Sequence, residues 1–517
     1  MTQLSSDNAE VSTLRRVMTR VVMVLATLLL AAVAVGIAAY MGREIEREQW
    51  PILITATGVA TYVVIAVINA KHAFLLWLIT APFARFVYLN IELGRGIPDM
   101  SLNRVMTGVL LVLLLASVAG QRRRLVRLVW ADALLLLFAV GAMVSVPSSL
   151  TPLKSAVQSF FDLVLVPVAV YFLARNLLNT REDIKHLIIA LFIIGVYLGF
   201  LATHEQLTGV VWFYPENRSV IYSGSIRRVV GLMGNPACMG LSLATLVPWG
   251  WYTWLNARRG RPLLLVLVIL MMAGCYFCMN RSGWIGLAAG LVIMAPFVKR
   301  FRRIFMILLV IAVIVAAVYW AVIISSTVVQ SRLKAQGPIE YRVETWAVAG
   351  RMLRGNLIFG VGYENFGAMF KRYGYWDTNA PVVPYPHNTY LWVLLMGGMA
   401  ALLPFLGFLL AAAWSALRTA TLKPPETVAL FPVAPTLASS GAEMSGVFLA
   451  SMAAVFGPAL VGDVFYCYYM MMIVFSIMGA LMAVITRKLP DASPLPAWGP
   501  LQDLPEIDPA LGRDSAR

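Results

Sequence analysis

Long apolar stretches separated by short charged turns run along almost the whole 517-residue chain. They fall near residues 21–41, 51–70, 73–89, 104–120, 130–148, 157–175, 186–203, 237–256, 262–279, 283–298, 304–326, 388–413, 445–463 and 464–486. Most are about 17 to 25 residues long, the length a helix needs to cross the hydrocarbon core of a bilayer. The runs are continuously apolar rather than alternating, and backbone polar groups in lipid must be satisfied within a segment, so helices are expected and a barrel is not. The pattern predicts an all-α fold: a polytopic transmembrane helical bundle of about 14 spans (12–14), with a large helical loop on the outer face. The first run lacks a small-residue cleavage site and follows Arg15, Arg16 and Arg20, which reads as a retained anchor rather than a removed signal peptide. Composition agrees, with 60% hydrophobic and only 13% charged residues, and a mean hydropathy of +0.79. That balance excludes a water-soluble enzyme of this length.

Charge sets the expected orientation. QRRRLVR (121–127), NARRGRP (256–262), VKRFRR (298–303) and TRKLP (486–490) fall on alternate connections, and basic residues in short loops stay on the cytoplasmic side. Both termini are therefore expected in the cytoplasm. The chain divides into N-terminal spans (1–203), a core (204–413) with outer loops 204–236 and 327–387, a cytoplasmic linker (414–444), C-terminal spans (445–488) and a disordered cytoplasmic tail (489–517). Cys238, Cys275, Cys278 and Cys467 fall in predicted spans, where they read as small buried hydrophobes.

The outer loops hold the candidate chemistry because they are more basic than the topology predicts. Residues 327–387 carry Arg332, Lys334, Arg342, Arg351, Arg354, Lys371 and Arg372 against Glu340, Glu344, Glu364 and Asp377. Loop 204–236 adds Arg218, Arg227 and Arg228, and Arg281 stands in the tight outer turn NRSGW. Arginines on a membrane surface pair readily with lipid phosphates. They equally suit a pyrophosphate held at the outer face, because the guanidinium fork makes paired, charge-assisted hydrogen bonds. In EYRVETWAVAGRMLR (340–354), Val343, Trp346, Ala347, Gly350 and Leu353 share one helical face, which predicts an amphipathic helix on the membrane. GNLIFGVGYENF (355–366) has a GxG without the third glycine or βαβ surroundings of a dinucleotide loop, and reads as a turn against a lipid head group. The chain has four histidines, at 72, 186, 204 and 387. A multi-histidine metal centre is not expected, and no cofactor is. His387 opens the run PYPHNTYLWVLLMGG (384–398), where an imidazole able to take a proton near neutral pH reads as a base.

RVVGLMGNPACMG (228–240), NRSGWIGL (280–287), YRVETWAVAGRML (341–353) with GVGYENF (360–366), and PHNTYLWVLLMGG (386–398) resemble, in order, the motifs of the O-antigen ligase and polymerase superfamily. The resemblance covers roughly residues 220 to 400. It implies a bacterial inner-membrane glycosyltransferase with a periplasmic site, moving glycan from undecaprenyl pyrophosphate to an acceptor hydroxyl without a nucleotide sugar or a metal. By position it assigns Arg228, Arg281 and Arg342 to the pyrophosphate and His387 to catalysis, with Arg227, Asn388 and Glu364 as further candidates. Two departures stand out: Leu357 follows Asn356 where the family often has proline, and the glycines after His387 fit the ligase subset only in part.

The expected partners are an undecaprenyl-pyrophosphate-linked glycan, an acceptor glycan or lipid A core, membrane lipids and other polysaccharide assembly proteins. Nucleic acid is not among them. A covalent intermediate on Glu364 stays open, as does polymerase against ligase. The alternative is a transporter or flippase of lipid-linked glycan. A transporter would carry ionisable residues deep in its spans, where this chain offers few: Asp132, Asp162, Asp463 at a helix junction, and Arg85, which can snorkel. A non-catalytic assembly scaffold would need no arginines around a histidine.

Overall fold

The computed structural model describes residues 50–86, 90–91, 99–121, 123–212, 221–223, 226–257, 259–320, 337–373, 385–421 and 441–486. The expected anchor at 21–41, the tail 489–517, most of the 414–444 linker and parts of both outer loops lie outside these residues. The chain is an all-α polytopic helical bundle. Its helices are α1 (Trp50–Ile68), α2 (Ala70–Thr80), α3 (Leu102–Ala119), α4 (Trp130–Ser145), α5 (Leu153–Leu177, with a π turn at Phe161–Leu165), α6 (Arg181–Thr208), α7 (Pro236–Asn256), α8 (Arg261–Phe277), α9 (Arg281–Phe297), α10 (Lys299–Val318), α11 (Gly337–Leu353), α12 (Asn365–Tyr373), α13 (Thr389–Thr421), α14 (Gly441–Phe456) and α15 (Tyr468–Thr486). Short hairpins pair Asn90–Ile91 with Met100–Ser101 and Ile221–Ser223 with Ile226–Arg228.

Among the described residues each apolar run after the first overlaps a helix, but the count of fourteen spans is not confirmed. Among the described residues eight helices are long and apolar enough to cross a membrane, and Thr57–Ile68, Arg261–Phe277 and Arg281–Phe297 are shorter apolar helices. Local chemistry explains part of the difference: Asn69 accepts from the N–H groups of Lys71 and His72 and starts α2 afresh, and the run to 89 ends in a 3-10 turn at Ala81–Phe86. Helix α13 continues to Thr421, into the segment expected as linker from 414.

Helix α7 sits at the centre, packed by α6, α8, α9 and α14, while α13 packs on α4 and α15 on α5. The α7–α9 crossing is close: a Cβ on Gly283 would lie 3.1 Å from the Cα of Gly240, the small-residue contact expected where lipid supplies no hydrophobic drive. By contrast only 6% of the α10 span window is buried, an exposed apolar surface that water would not tolerate.

Several ionisable side chains within the helices are paired. Near the end that carries the basic clusters, Arg175 donates to Asp132 at 2.5 Å and Tyr171 donates to the same oxygen at 2.6 Å, all three fully buried. There too Lys71 meets Asp183 at 2.8 Å, and Arg300 donates to Leu255 O and Asn256 Oδ1. Toward the opposite end Arg104 meets Asp162 at 2.8 Å.

Helix α13 is broken at Gly398, whose backbone (φ +64°, ψ −161°) is not helical. The turn 356–362 fills the break: Met399 N–H donates to Leu357 O (2.9 Å), Ala400 N–H to Ile358 O (3.1 Å) and Val361 N–H to Leu395 O (2.7 Å). Backbone groups freed by the break thus find partners inside the protein, as the membrane requires. Of the GxG glycines, read as a turn against a head group, Gly360 instead serves this docking: a Cβ on it would meet Leu395 O at 2.5 Å, and across the break one on Gly398 would meet Ile358 O at 2.1 Å, whereas Gly362 packs against Ser148.

Candidate active site

Three asparagines of the sequence motifs are helix caps. Asn235 Oδ1 accepts from Ala237 N–H (2.8 Å) at the start of α7, Asn280 Oδ1 from Gly283 N–H (2.9 Å) at α9, and Asn388 Oδ1 from Leu391 N–H (3.0 Å) at α13. Each satisfies an N–H that has no partner within the helix. The caps leave Arg281 as the first residue of α9 and His387 immediately before the cap of α13. The three helices open at the same end of the bundle, opposite the basic clusters, and present their positive dipole ends there. Asn388, a candidate for substrate contact, holds the start of α13 with its side chain.

His387 is fixed from two directions. Its backbone is left-handed, φ +48°, a conformation that needs outside support in a non-glycine residue. Trp346 Nε1–H donates to the preceding carbonyl, Pro386 O, at 2.7 Å. His387 N–H in turn donates to Asp463 Oδ2 at 3.1 Å, and Nδ1 lies 3.7 Å from that oxygen. Asp463 is itself held by Thr389, whose hydroxyl donates to Gly462 O (2.8 Å) and accepts from Val464 N–H (2.9 Å). The Tyr341 ring meets the imidazole edge-on, centroids 5.7 Å apart, and its hydroxyl accepts from Tyr385 N–H at 3.3 Å. The His387 side chain is 40% exposed and that of Asp463 9%, so the ring opens to the outside above a buried carboxylate.

Helix α11 brings Arg342 into this group. The face expected to lie on the membrane is largely outward, with Val343, Ala347 and Gly350 exposed. The neighbouring face, Val348, Ala349 and Met352, packs on Phe366, Phe370 and Leu395. Leu353 belongs to both. The docked face turns Arg342 inward, where burial, then repulsion from Arg281, lowers its pKa. Burial, then the nearby Arg342, also lowers the pKa of His387, which favours the neutral imidazole. Burial raises Asp463 to about 7, and hydrogen bonding from the backbone of His387 and the charge of Arg342 offset only part of that.

The structure therefore brings together His387, Arg342 and Arg281. Arg228 ends the 221–228 hairpin beside the same turn: Val229 N–H donates to Phe277 O at the end of α8 (3.4 Å), and Arg228 lies within electrostatic range of Cys278. The hairpin is anchored by Glu205, whose carboxylate accepts from Val230 N–H (3.2 Å) and Gly231 N–H (2.7 Å). Arg227 is engaged in that anchor, donating to Gly209 O (2.6 Å) and lying 3.6 Å from Glu205. Glu364 lies against Ser159, which donates to it at 2.6 Å, and its charge acts on Tyr385 and Tyr466.

One reading of the cysteines is corrected. Cys275 and Cys278 are buried thiols as expected, but Cys238 and Cys467 form a disulfide across 229 residues of sequence. Both lie at helix ends rather than mid-span: Cys238 in the first turn of α7, Cys467 just before α15. The bond ties the GNP turn to the segment that carries Asp463. Asp463, Thr389, Trp346 and Tyr341 were not among the site residues read from sequence. Asp463 had a signal, a lone acid in GDVFYC between two apolar runs, but nothing local pairs it with a histidine 76 residues away.

No curated protein matches the chain. Residues 264–406 match the family model described as O-antigen ligase (Wzy_C), a segment that contains Arg281, Arg342, Glu364 and His387, with Arg228 and Asp463 flanking it. Through residues 264–406, and with its motifs in the family order on a bundle of apolar helices, this multi-pass membrane chain is similar to the O-antigen ligase and polymerase superfamily.

Proposed function

We propose that this glycosyltransferase takes glycan from undecaprenyl pyrophosphate and passes it to a sugar hydroxyl at the periplasmic face of the bacterial inner membrane. The observation that carries the reading is Arg342 beside the His387–Asp463 pair, with Arg281 beside Arg342. A neutral imidazole is ready to accept a proton. His387 takes it from the acceptor hydroxyl as that oxygen bonds to the anomeric carbon. The bond between that carbon and the pyrophosphate oxygen breaks, and polyprenyl pyrophosphate leaves with the electron pair. Arg281 and Arg342, with Arg228 beside them, stabilise the charge growing on the leaving group. Asp463 stands on the Nδ1 side, stabilising the imidazolium and leaving Nε2 for substrate.

Two features support the orientation. The basic clusters lie at the opposite end of the bundle from His387, as cytoplasmic loops would, and the Cys238–Cys467 disulfide lies at the site end, in keeping with an oxidising compartment. Pairing of Asp132, Asp183 and Asp162 with basic partners favours a transferase over a transporter, whose spans would hold ionisable groups for cargo.

The test is purified protein in nanodiscs with a polyprenyl-pyrophosphate-linked repeat unit. Transfer should fall by about 10² to 10⁴ in His387→Asn, a residue that tolerates the left-handed backbone. Normal transfer by a folded variant would remove the base from the scheme. With repeat units alone, a ladder of longer chains identifies a polymerase; product only after a lipid A core acceptor is added identifies a ligase.

A further inference from the structure

The surroundings of His387 are chemically mixed. Arg342, with Arg281 beside it, supplies cations. Aromatic rings, hydroxyls and a second carboxylate stand nearby. Tyr385 and Tyr466 meet at a centroid distance of 4.8 Å, nearly perpendicular, and Tyr385 is exposed. Both tyrosines feel the charges of Glu364 and Asp463, so they bridge the two carboxylates. Ser159 Oγ donates to Glu364 Oε1 (2.6 Å) and lies 3.5 Å from the Tyr363 hydroxyl.

Glu364 is held there by design of the backbone. Its φ is +55°, and both neighbours are tied to the turn after α4: Tyr363 N–H donates to Ser145 O (3.2 Å), Asn365 Oδ1 accepts from Leu150 N–H (2.6 Å) and Asn365 Nδ2 donates to Ser148 O (2.8 Å). Strain of this kind persists where surrounding contacts over-determine it, and it clusters at binding sites. A second observation points to spare accepting capacity: the buried Asp463 Oδ1 makes no hydrogen bond of good geometry among the described residues, the Asn388 N–H being its remaining near donor, whereas buried carboxylate oxygens are ordinarily satisfied.

This chemistry does not suit a pyrophosphate, which two carboxylates repel. It suits a sugar without anionic groups: carboxylate oxygens accept from ring hydroxyls, and tyrosine offers an apolar ring face with a polar tip. We propose that Glu364, Tyr385 and Tyr466 form the acceptor subsite, binding a hydroxyl-rich, uncharged sugar so that its nucleophilic hydroxyl reaches His387. The proposal rests on the transferase reading and deepens it. Glu364 is an acceptor-binding residue here rather than a nucleophile.

The test separates binding from turnover. The probes are the oligosaccharide released by mild acid from the host's own polyprenyl-linked glycan and the core oligosaccharide released from its lipid A, each titrated against full-length protein in nanodiscs by saturation-transfer NMR, the one that wild type binds being used throughout. Wild type and Arg281→Ala should bind it alike. Glu364→Gln, which keeps an acceptor for Ser159, should bind about 10- to 100-fold more weakly, the usual loss for a charged hydrogen bond, and Tyr385→Ala should also weaken. In turnover, Glu364→Gln should raise the acceptor KM by that factor while leaving the donor KM within twofold. Unchanged oligosaccharide binding in Glu364→Gln, loss of it in Arg281→Ala, or no binding by wild type would overturn the subsite. Glycan binding that depends on Glu364 in a protein without transfer activity would instead uphold the subsite and defeat the transferase reading.

Discussion

Replacing Asp463 with asparagine should stabilise the protein and weaken its chemistry at the same time. The carboxyl is nearly buried beneath His387 and has its pKa raised to about 7. An aspartate free in an unfolded chain titrates near 3.9. Below about pH 4 both states are protonated and nothing is lost. As pH rises to about 7 the unfolded chain ionises first, so folding must hold on to a proton; above 7 the folded state carries the buried charge. At about 1.4 kcal/mol per tenfold change, moving the carboxyl from near 4 to about 7 corresponds to roughly 4 kcal/mol of stability lost between those pH values. The asparagine side chain keeps an oxygen for the His387 N–H and carries no charge, so the variant escapes this loss. Thermal unfolding in one detergent at pH 5, 6, 7 and 8 should show the Asp463→Asn variant gaining on wild type as pH rises, with the difference levelling off above 7. Transfer should move the other way, because the imidazolium formed during reaction loses its anionic partner, and the part of the pH–rate profile that follows Asp463 should disappear. A stability difference that ignores pH, or a variant less stable than wild type at pH 8, would refute the account of the buried carboxyl.

Three further outcomes follow from the geometry. Arg281→Lys keeps the charge but loses the planar fork, and transfer should fall by about 10²-fold, measured with saturating acceptor; near-normal rates would mean that a point charge suffices. Cys238→Ser with Cys467→Ser removes a staple that spans 229 residues of sequence and should cost about 2 to 5 kcal/mol, read as a lower Tm, with wild type running faster on gels before reduction than after. Gly398→Ala places a Cβ 2.1 Å from Ile358 O at a backbone φ of +64°; it should destabilise the protein by about 1 to 3 kcal/mol or more and expose the 356–362 turn to protease, whereas an unchanged Tm would mean that the turn does not depend on the break.

Sequence alone determined the helices and where many of them begin, because both are set by local rules. A bilayer demands about twenty apolar residues with their backbone bonds closed internally, and an asparagine before a helix supplies a cap wherever it stands. That is why the runs at 237–256, 283–298 and 388–413 coincide with α7, α9 and α13, and why Arg281 and His387 were visible as residues at helix mouths. The face by which α11 docks was not visible: Val343, Ala347 and Gly350 look like the apolar side until Phe366, Phe370 and Leu395 are seen to receive Val348, Ala349 and Met352. Nor were the partners that complete the site. Asp463 reaches His387 across 76 residues, Cys238 bonds to Cys467 across 229, and Ser159 meets Glu364 across 205. Such contacts depend on which helices become neighbours, a choice made by packing among many apolar surfaces of similar composition. No local spacing encodes it, so the tertiary structure alone decided the company His387 keeps.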